Sequence, residues 1–316
     1  MLATFATIMK VSVIIPVYNK HDYVEDCLRS VLLQDMDNFE VLAIDDGSTD
    51  GSGEVCDKIA KESPRLKVIH VANGGVTKAR RIGYEASTGD YITFVDSDDT
   101  MRPGGLRTLY DAIVREQADE VVATYHNDKG KHVTTGITGE VDPDWMLAQL
   151  CGSKAKFCIV WAVIFKREIL KGCIDDPRIP VRPGQDILMQ ILCLVKKPKV
   201  VFIADSVYNY IEGLTVYKAP NLEMYKAFDE MLFKAFQPRW DELKDLYTLR
   251  QLKSYETFLD WKQFDVLKVY YYQARKRLSS SHPLADRIVI SMPPHLAYFA
   301  VKARKWIGKK LKCSTC

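Results

Sequence analysis

Between Val11 and Asp96, short apolar runs alternate with segments of helical periodicity, and this alternation limits the possible folds more than any other feature. The runs "VSVIIP", "FEVLAIDD", "LKVIHV" and "DYITFVD" are rich in β-branched and aromatic residues, as strands are. Between the first two, "DYVEDCLRSVLLQ" places Val24, Leu28 and Val31 at helical spacing. Because consecutive parallel strands need a crossover connection, the sequence predicts an α/β fold with a Rossmann-like, mostly parallel sheet flanked by helices.

The rest of the chain predicts a second, helical part. A glycine- and threonine-rich stretch, "NDKGKHVTTGITGE", is typical of a hairpin or loop, after which "CIVWAVIFKREIL", "PGQDILMQILCLVKK" and "KVVFIADSVYNYIEG" resume the strand and helix pattern. From Leu222 onward the chain is predicted to be helical. We therefore expect a first domain over residues 1–217 and a helical C-terminal extension over residues 218–316.

Composition excludes several classes of protein. A formal net charge of +3 over 316 residues is too small for a nucleic-acid-binding surface, which is usually strongly basic. The eight cysteines lack the spacing of a disulfide framework, which favours a reducing compartment. The opening residues lack the pattern of a secretory signal, and no apolar run approaches the roughly 18 residues that a membrane span needs. We expect a cytoplasmic protein that can lie on the cytoplasmic face of the membrane.

Polar and acidic residues follow each predicted strand, in "PVYN", "DDGSTD", "ANGG" and "DSDD". Ligands of doubly wound sheets bind at the carboxyl ends of the strands. Asp96, Asp98 and Asp99 fall within four positions there, and one helix cap needs only one aspartate. Mn²⁺ and Mg²⁺ take oxygen ligands and often keep one or two protein carboxylates, the remaining ligands being water and phosphate oxygens. A divalent cation is the prediction; acids that cap the next helix are the alternative.

A cation with so few protein ligands is typical of a diphosphate site. Asp45 and Asp46 can accept hydrogen bonds from a base or a ribose, and Pro16 and Tyr18 can form an apolar shelf under a base. Arg80 can neutralise phosphate or hold a carboxylate of the acidic edge, although a surface arginine is the alternative. The sequence has neither the G-x-G-x-x-G fingerprint after the first strand nor the P-loop, which excludes dehydrogenase and P-loop ATPase functions.

Four motifs, "VSVIIPVYN", "VLAIDDGSTDGS", "NGGVTKARRIG" and "GDYITFVDSDD", resemble in order and spacing the family 2 inverting nucleotide-sugar glycosyltransferases of GT-A fold. The resemblance covers Val11 to Asp99 and continues less specifically to "VYNYIEGLT". It implies that base and ribose contacts fall to these residues: Pro16, Tyr18, Asp45, Asp46 and Arg80. It also implies that Asp96 of the DxD motif faces the ribose and the metal, that Asp98 ligates the metal, and that Asp99 supports the turn.

The resemblance further implies that Asp186, in "PGQD", is the general base; a cap of the following helix is the alternative. Gln185 stands where the family usually has Glu, and Arg81 where it often has Asn, so acceptor or donor preference can differ. Trp161 can stack on a sugar ring as part of the acceptor site, with Gln185, or can belong to the core.

The leading prediction is an inverting, metal-dependent transferase that moves a sugar from a nucleoside diphosphate, UDP above all, to a glycan or lipid-linked acceptor of a surface polysaccharide. A sugar-1-phosphate nucleotidyltransferase is a rival, but it needs a glycine-rich basic loop after the first strand, which "PVYN" is not. A sugar-nucleotide-binding or scaffold protein with lapsed catalysis is the second rival, because of Gln185.

The C-terminal segment from Arg287 to Lys312 holds seven Lys or Arg and no Asp or Glu, interleaved with apolar and aromatic residues. A basic helix with Trp and Phe predicts peripheral association with anionic membrane. A helix that packs on the domain and keeps its basic side in water is the alternative.

Overall fold

The computed structural model describes residues 9–155, 157, 159–174, 185–214, 219–267 and 271–313, with the backbone alone at 185, 266–267, 272–273 and 307–313. The chain divides into two compact units. The first comprises the described residues of Met1–Trp145, Lys156–Pro180 and Gln185–Val216, and the second those of Met146–Ala155 and Tyr217–Cys316. The predicted domain boundary after residue 217 stays a prediction.

Ten strands within the described residues form one sheet: β1 (Val11–Val17), β2 (Phe39–Asp45), β3 (Leu66–His70), β4 (Tyr91–Phe94), β5 (Thr100–Met101), β6 (Glu120–Asn127), β7 (His132–Val133), β8 (Gly139–Val141), β9 (Val163–Lys166) and β10 (Val200–Tyr210). Seven helices accompany them along the chain: α1 (His21–Leu32), α2 (Ser52–Ala60), α3 (Val76–Ala86), α4 (Gly105–Glu116), α5 (Pro143–Cys151), α6 (Arg167–Leu170) and α7 (Gln185–Leu194). The predicted α/β fold is confirmed.

The sheet order is β3-β2-β1-β4-β9-β6-β10-β5, with β7 paired to β6 and β8 to β10. Strands β1 to β4 are parallel to one another where they pair, as predicted. Strand β9, however, runs antiparallel to both β4 and β6, and β5 runs antiparallel to β10. The sheet is therefore parallel in the half that carries the four motifs and mixed in the other half.

Helices cover the parallel half closely. All seven residues of β1 are buried, as expected for a parallel strand with both faces covered. Helix α1 buries Val24, Cys27, Leu28 and Val31, the face that its periodicity predicts. Helix α3 approaches β1 so closely that a Cβ at Gly83 would lie 2.4 Å from Cγ2 of Ile14. This packing holds the ends of β1 and α3 in fixed positions at one edge of the sheet.

The second unit is helical in its described residues: α8 (Leu222–Phe236), a 3-10 turn (Gln237–Arg239), α9 (Trp240–Asp260), α10 (Phe264–Leu267), a second 3-10 segment (Tyr271–Arg277), α11 (Leu284–Ser291) and α12 (Pro294–Cys313). This confirms the predicted helical C-terminal part. Phe258 and Leu259 of α9 and Ala297 and Val301 of α12 share one apolar cluster. None of the described helices is long and apolar enough to cross a membrane.

An ion-pair network joins three of these helices. Lys253 of α9 donates to both carboxylate oxygens of Asp286 on α11, each at 2.9 Å. Arg304 of α12 donates to Asp286 at 2.7 Å and to Glu256 of α9 at 2.6 Å. Asp286 is 3 % exposed, and the paired cations offset the cost of burying its charge.

Glu120, the first residue of β6, is a buried carboxyl whose titration should set part of the pH dependence of stability. Burial raises its pKa to about 7. The folded protein therefore binds more protons than the unfolded chain between about pH 4.5 and pH 7, and this contribution to stability falls as the pH rises through that range.

We expect Glu120→Gln to raise the free energy of unfolding relative to the parent protein by up to about 3 kcal/mol more at pH 8 than at pH 5. Urea unfolding at the two pH values measures the difference, and Glu85→Gln, at a side chain that is 59 % exposed, serves as the control. An equal effect of Glu120→Gln at both pH values would contradict the prediction.

Candidate active site at the strand ends

The parallel register brings the polar residues of the four motifs to one edge. Val17 lies opposite Asp45 in the pairing of β1 with β2, and Asp45 lies opposite His70 in the pairing of β2 with β3. Strand β4 ends at Phe94, just before Val95 and Asp96. The carboxyl ends of four neighbouring strands therefore meet, as predicted.

Asp46 joins the end of β2 to the start of α3. Its two carboxylate oxygens accept hydrogen bonds from the backbone N–H groups of Gly74 and Gly75 at 2.8 and 2.7 Å, and it is 2 % exposed. Gly47 has a φ of 72°, and a Cβ there would lie 2.9 Å from the backbone N of Asn73. Glycine allows this close approach, and Asp46 holds the motif loops together.

His70 holds the neighbouring Asp45, and no pattern in the sequence pointed to it. Its Nδ1 lies 2.8 Å from Asp45 and its Nε2 3.1 Å from Asp57. Hydrogen bonds with Asp45 and Asp57 raise the pKa of His70. Burial acts to raise the pKa of Asp45, but Ser48 and His70 lower it below the usual value. Asp45 is therefore a fixed, ionised acceptor at the edge.

Arg80 connects two acids that are far apart in the sequence. Its Nη2 donates to Asp96 at 2.8 Å and its Nη1 donates to Asp186 at 2.7 Å. The arginine is 4 % exposed, and its guanidinium lies over the ring of Phe94 at 5.7 Å. The structure thus brings together three of the predicted site residues and excludes the alternative of a surface arginine.

The protonation of this group follows from burial and charge. Burial acts to lower the pKa of Arg80, but Asp186 and Asp96 outweigh it and raise the pKa above its ordinary value. Burial raises the pKa of Asp96, and Arg80 opposes that rise. Burial also raises the pKa of Asp99 to about 8, against the hydrogen bond from the backbone of Ile211.

Asp99 ties the acidic edge to β10. It accepts hydrogen bonds from the hydroxyl of Tyr208 at 3.0 Å and from the N–H of Ile211 at 2.8 Å, while the backbone N–H of Asp96 donates to the same hydroxyl at 2.9 Å. Tyr208 is fully buried. Tyr208 fixes the backbone of the DxD turn. It belongs to the "VYNYIEGLT" segment, and a tyrosine near the end of a predicted strand is the sequence feature that indicates such a contact.

Asp98 has a cationic partner that the sequence analysis missed. Nζ of Lys20 lies 2.5 Å from Oδ2 of Asp98, with 25 % and 20 % of the two side chains exposed. Lys20 directly follows the "PVYN" motif, and this position in the loop after β1 is the sequence feature that indicates a role at the acidic edge.

Asp96 and Asp98 suit a divalent cation only if other ligands join them. Within the described residues, no group of three or more His, Cys, Asp or Glu side chains could hold a metal ion without further ligands. Two carboxylates completed by diphosphate oxygens and water match the way proteins bind Mg²⁺ and Mn²⁺. The donor set therefore fits a cation that arrives with a nucleotide.

The remaining predicted residues differ in exposure. Pro16 is buried in β1 opposite Ile44, whereas Tyr18 is 43 % exposed just beyond the strand. Trp161 is 6 % exposed and its ring stacks at 4.7 Å on Tyr208. This packing corresponds to the core alternative for Trp161 and not to sugar stacking. Gln185 begins α7, but its side chain and the preceding "PG" lie outside the described residues.

Comparison with known proteins agrees with this architecture. Residues 12–173, just over half of the chain, match the family model described as glycosyl transferase family 2. Glycosyltransferase GlyG of Streptococcus pneumoniae serotype 4 is 40 % identical over 118 residues, which are 37 % of this chain and 39 % of GlyG. The poly(ribitol-phosphate) beta-glucosyltransferase of Bacillus spizizenii is 28 % identical over 266 residues, 81 % of this chain and 40 % of that protein. The chain thus spans less than half the length of these two relatives.

A solved structure has a similar fold. The crystal structure of S. aureus TarS 1-349 in complex with UDP-GlcNAc superposes with a TM-score of 0.64 at 20 % sequence identity, over 95 % of this chain and 92 % of that one. At this identity the likeness concerns the fold.

Removal of Arg80 should be far more costly than removal of an exposed arginine. Arg80→Met leaves Asp96 and Asp186 close together without their shared cation, and we expect it to lower the free energy of unfolding by about 3 kcal/mol. Arg29→Met removes an arginine that also pairs with two acids, Glu25 and Glu62, but is 40 % exposed. We expect that control to cost much less, because ion pairs of exposed side chains are screened by water. Chemical denaturation of the two variants makes the comparison; equal losses would contradict it.

Proposed function

Because the chain belongs to glycosyltransferase family 2, we propose that it is an inverting transferase that moves a sugar from a nucleoside diphosphate to an acceptor hydroxyl. One observation carries the proposal: Arg80 holds Asp96, the predicted donor-side acid, and Asp186, the predicted base, on one guanidinium at 2.8 and 2.7 Å. In a one-step displacement, the donor sugar and the acceptor hydroxyl must meet between an acid on the donor side and a base on the acceptor side.

In the proposed reaction, Asp186 takes the proton of the acceptor hydroxyl as that oxygen forms a bond to the anomeric carbon. The bond from this carbon to the diphosphate oxygen breaks, and the nucleoside diphosphate leaves with the electron pair. Attack from the face opposite the leaving group inverts the anomeric configuration. Arg80 orients Asp186, and no covalent intermediate with the protein is required.

Asp96 and Asp98 would hold a divalent cation, Mn²⁺ or Mg²⁺, beside the diphosphate. When bound, it neutralises charge that develops on the phosphate oxygens. Asp45, Asp46, Pro16 and Tyr18 would form the base and ribose site. Of these, Tyr18 offers the most exposed ring, whereas both carboxylate oxygens of Asp46 already accept backbone hydrogen bonds. Asp45 is therefore the better candidate for a direct contact with the nucleotide.

We propose UDP as the nucleotide and a surface glycan or lipid-linked glycan as the acceptor. TarS, whose fold is similar, has been crystallised with UDP-GlcNAc, and one relative is named for transfer of glucose to poly(ribitol-phosphate). These names support a UDP-sugar as the class of donor and a surface glycan as the class of acceptor.

Asp186→Asn separates catalysis from binding. We expect transfer to fall by two to four orders of magnitude, because the amide cannot accept the proton, while UDP affinity changes less than threefold. Asp111→Asn, at an exposed position of α4, is the control for loss of a carboxylate. Product formation from a panel of UDP-sugars and calorimetric UDP binding give the two readouts. Unchanged transfer would remove Asp186 from its role, and binding without transfer in the parent protein would favour the lapsed-catalysis rival.

We also propose that the second unit holds the enzyme on the cytoplasmic face of an anionic membrane. Helix α12 packs Ala297 and Val301 inward, whereas Leu296, Phe299 and Trp306 are 58 %, 67 % and 58 % exposed. The last three share one face of the helix at spacings of three and seven residues. The packed-helix alternative is thus correct for the inner face, and Arg304 is engaged there with Asp286 and Glu256.

These apolar side chains lie on the same helix as Lys302 and Lys305, which are 50 % and 48 % exposed and also pair with Asp260. Exposed apolar groups beside basic ones complement an anionic lipid surface. Phe299→Ser combined with Trp306→Ser should lower partitioning onto vesicles that contain phosphatidylglycerol by at least about tenfold. Leu33→Ser, at an apolar side chain that is 82 % exposed in the first unit, should leave partitioning unchanged. Vesicle flotation measures all three proteins, and equal flotation would defeat the membrane proposal.

A further inference from the structure

Lys20 combines a fixed backbone with a charged side chain at the acidic edge. Its N–H donates to Oγ of Ser52 at 2.7 Å, and its carbonyl accepts from the N–H groups of Tyr23 and Val24, each at 2.9 Å. These bonds make Lys20 the residue that precedes α1 as its N-cap. Only the side chain is left to move, and a lysine side chain carries a point charge on a flexible four-carbon stem.

Cations of the protein itself compensate part of the negative charge at the edge. Asp96 and Asp186 share Arg80, and Asp98 pairs with Lys20 at 2.5 Å. Arg80 is 4 % exposed and is held between two acids, so it is unsuited to move. Lys20 is partly exposed, and its acidic partner among the described residues is Asp98 alone. A dication and Lys20 therefore compete for the same carboxylate.

We propose, on the basis of the function proposed above, that Lys20 is an internal counter-ion that competes with the divalent cation for Asp98. When the nucleoside diphosphate and the cation enter together, the ammonium of Lys20 leaves Asp98 and pairs with a phosphate oxygen. The displaced ammonium then has a phosphate oxygen as its new partner, so it no longer competes with the divalent cation for Asp98. Lys20 thus couples the two binding events, and the free cation binds weakly in the absence of nucleotide.

Coupling of this kind is reciprocal: whatever UDP adds to Mn²⁺ affinity, Mn²⁺ adds to UDP affinity. Without Lys20, Mn²⁺ meets no competitor at Asp98, and UDP loses one cationic partner. The affinity for Mn²⁺ alone should therefore rise while the strengthening by UDP shrinks. A residue that merely supports the loop would weaken both affinities.

The experiment is a titration of Mn²⁺ followed by the electron paramagnetic resonance signal of the free ion, with and without UDP, on the full chain. We expect Lys20→Met to tighten binding of Mn²⁺ alone by about fivefold to tenfold and to reduce the strengthening by UDP by a similar factor. Lys20→Arg keeps the positive charge, so its two Mn²⁺ affinities should stay near those of the parent protein. This conservative variant also serves as a folded control. Lys10→Met is the matched control, because Lys10 pairs with Glu40 at 2.9 Å with similar exposure, just before β1 begins.

Asp98→Asn separates failure of this proposal from failure of the proposed function. If Asp98→Asn abolishes Mn²⁺ binding but Lys20→Met leaves it unchanged or weaker, the counter-ion role is wrong and the metal assignment stands. If Asp98→Asn binds Mn²⁺ as the parent protein does, or the parent protein binds none with UDP, the metal assignment itself is wrong, and the role of Lys20 fails with it.

Discussion

The candidate site depends on one guanidinium. Arg80 is buried and donates to Asp96 and Asp186, which lie 16 and 106 residues away in the chain. A buried cation needs negative partners, and two carboxylates that approach one another need a cation between them. Each of the three groups therefore requires the other two. This mutual requirement holds the end of β4, the second turn of α3 and the start of α7 in one arrangement. Without it, the proposed donor and acceptor sides would not face a common point.

The edge of the sheet is a place where charge is concentrated and then compensated in different ways. Asp46 is satisfied by two backbone N–H groups, Asp45 by Ser48 and His70, and Asp98 by Lys20. Asp99 accepts hydrogen bonds from the hydroxyl of Tyr208 and from the N–H of Ile211. Such an edge can accept a dication and a diphosphate together with small changes in net charge. The surplus of carboxylates would oppose the entry of an isolated diphosphate anion.

In the second unit, too, a buried acidic side chain is compensated by neighbouring cations. Its buried acid, Asp286, is compensated by Lys253 and Arg304, and this network places α12 with its inner face packed. The apolar side chains that remain outside, among them Phe299 at 67 % exposed, are a surface that water does not favour. The helix thus contributes to the core with one face and leaves Leu296, Phe299 and Trp306 exposed on the other.

The sequence by itself determined the strand and helix alternation up to β4, the edge at which the polar motifs meet and the family of the chain, because local periodicity and ordered motifs are properties of short segments. It did not determine the direction of β9, since strand direction depends on which neighbours pair, or the burial of Trp161, since an apolar strand context is equally consistent with a core and a ligand-facing side chain. The partners Lys20 and His70 were also decided by tertiary structure alone. Their carboxylates, Asp98 and Asp45, come from other strand ends, and only the folded sheet brings charges so distant in the chain within hydrogen-bonding distance.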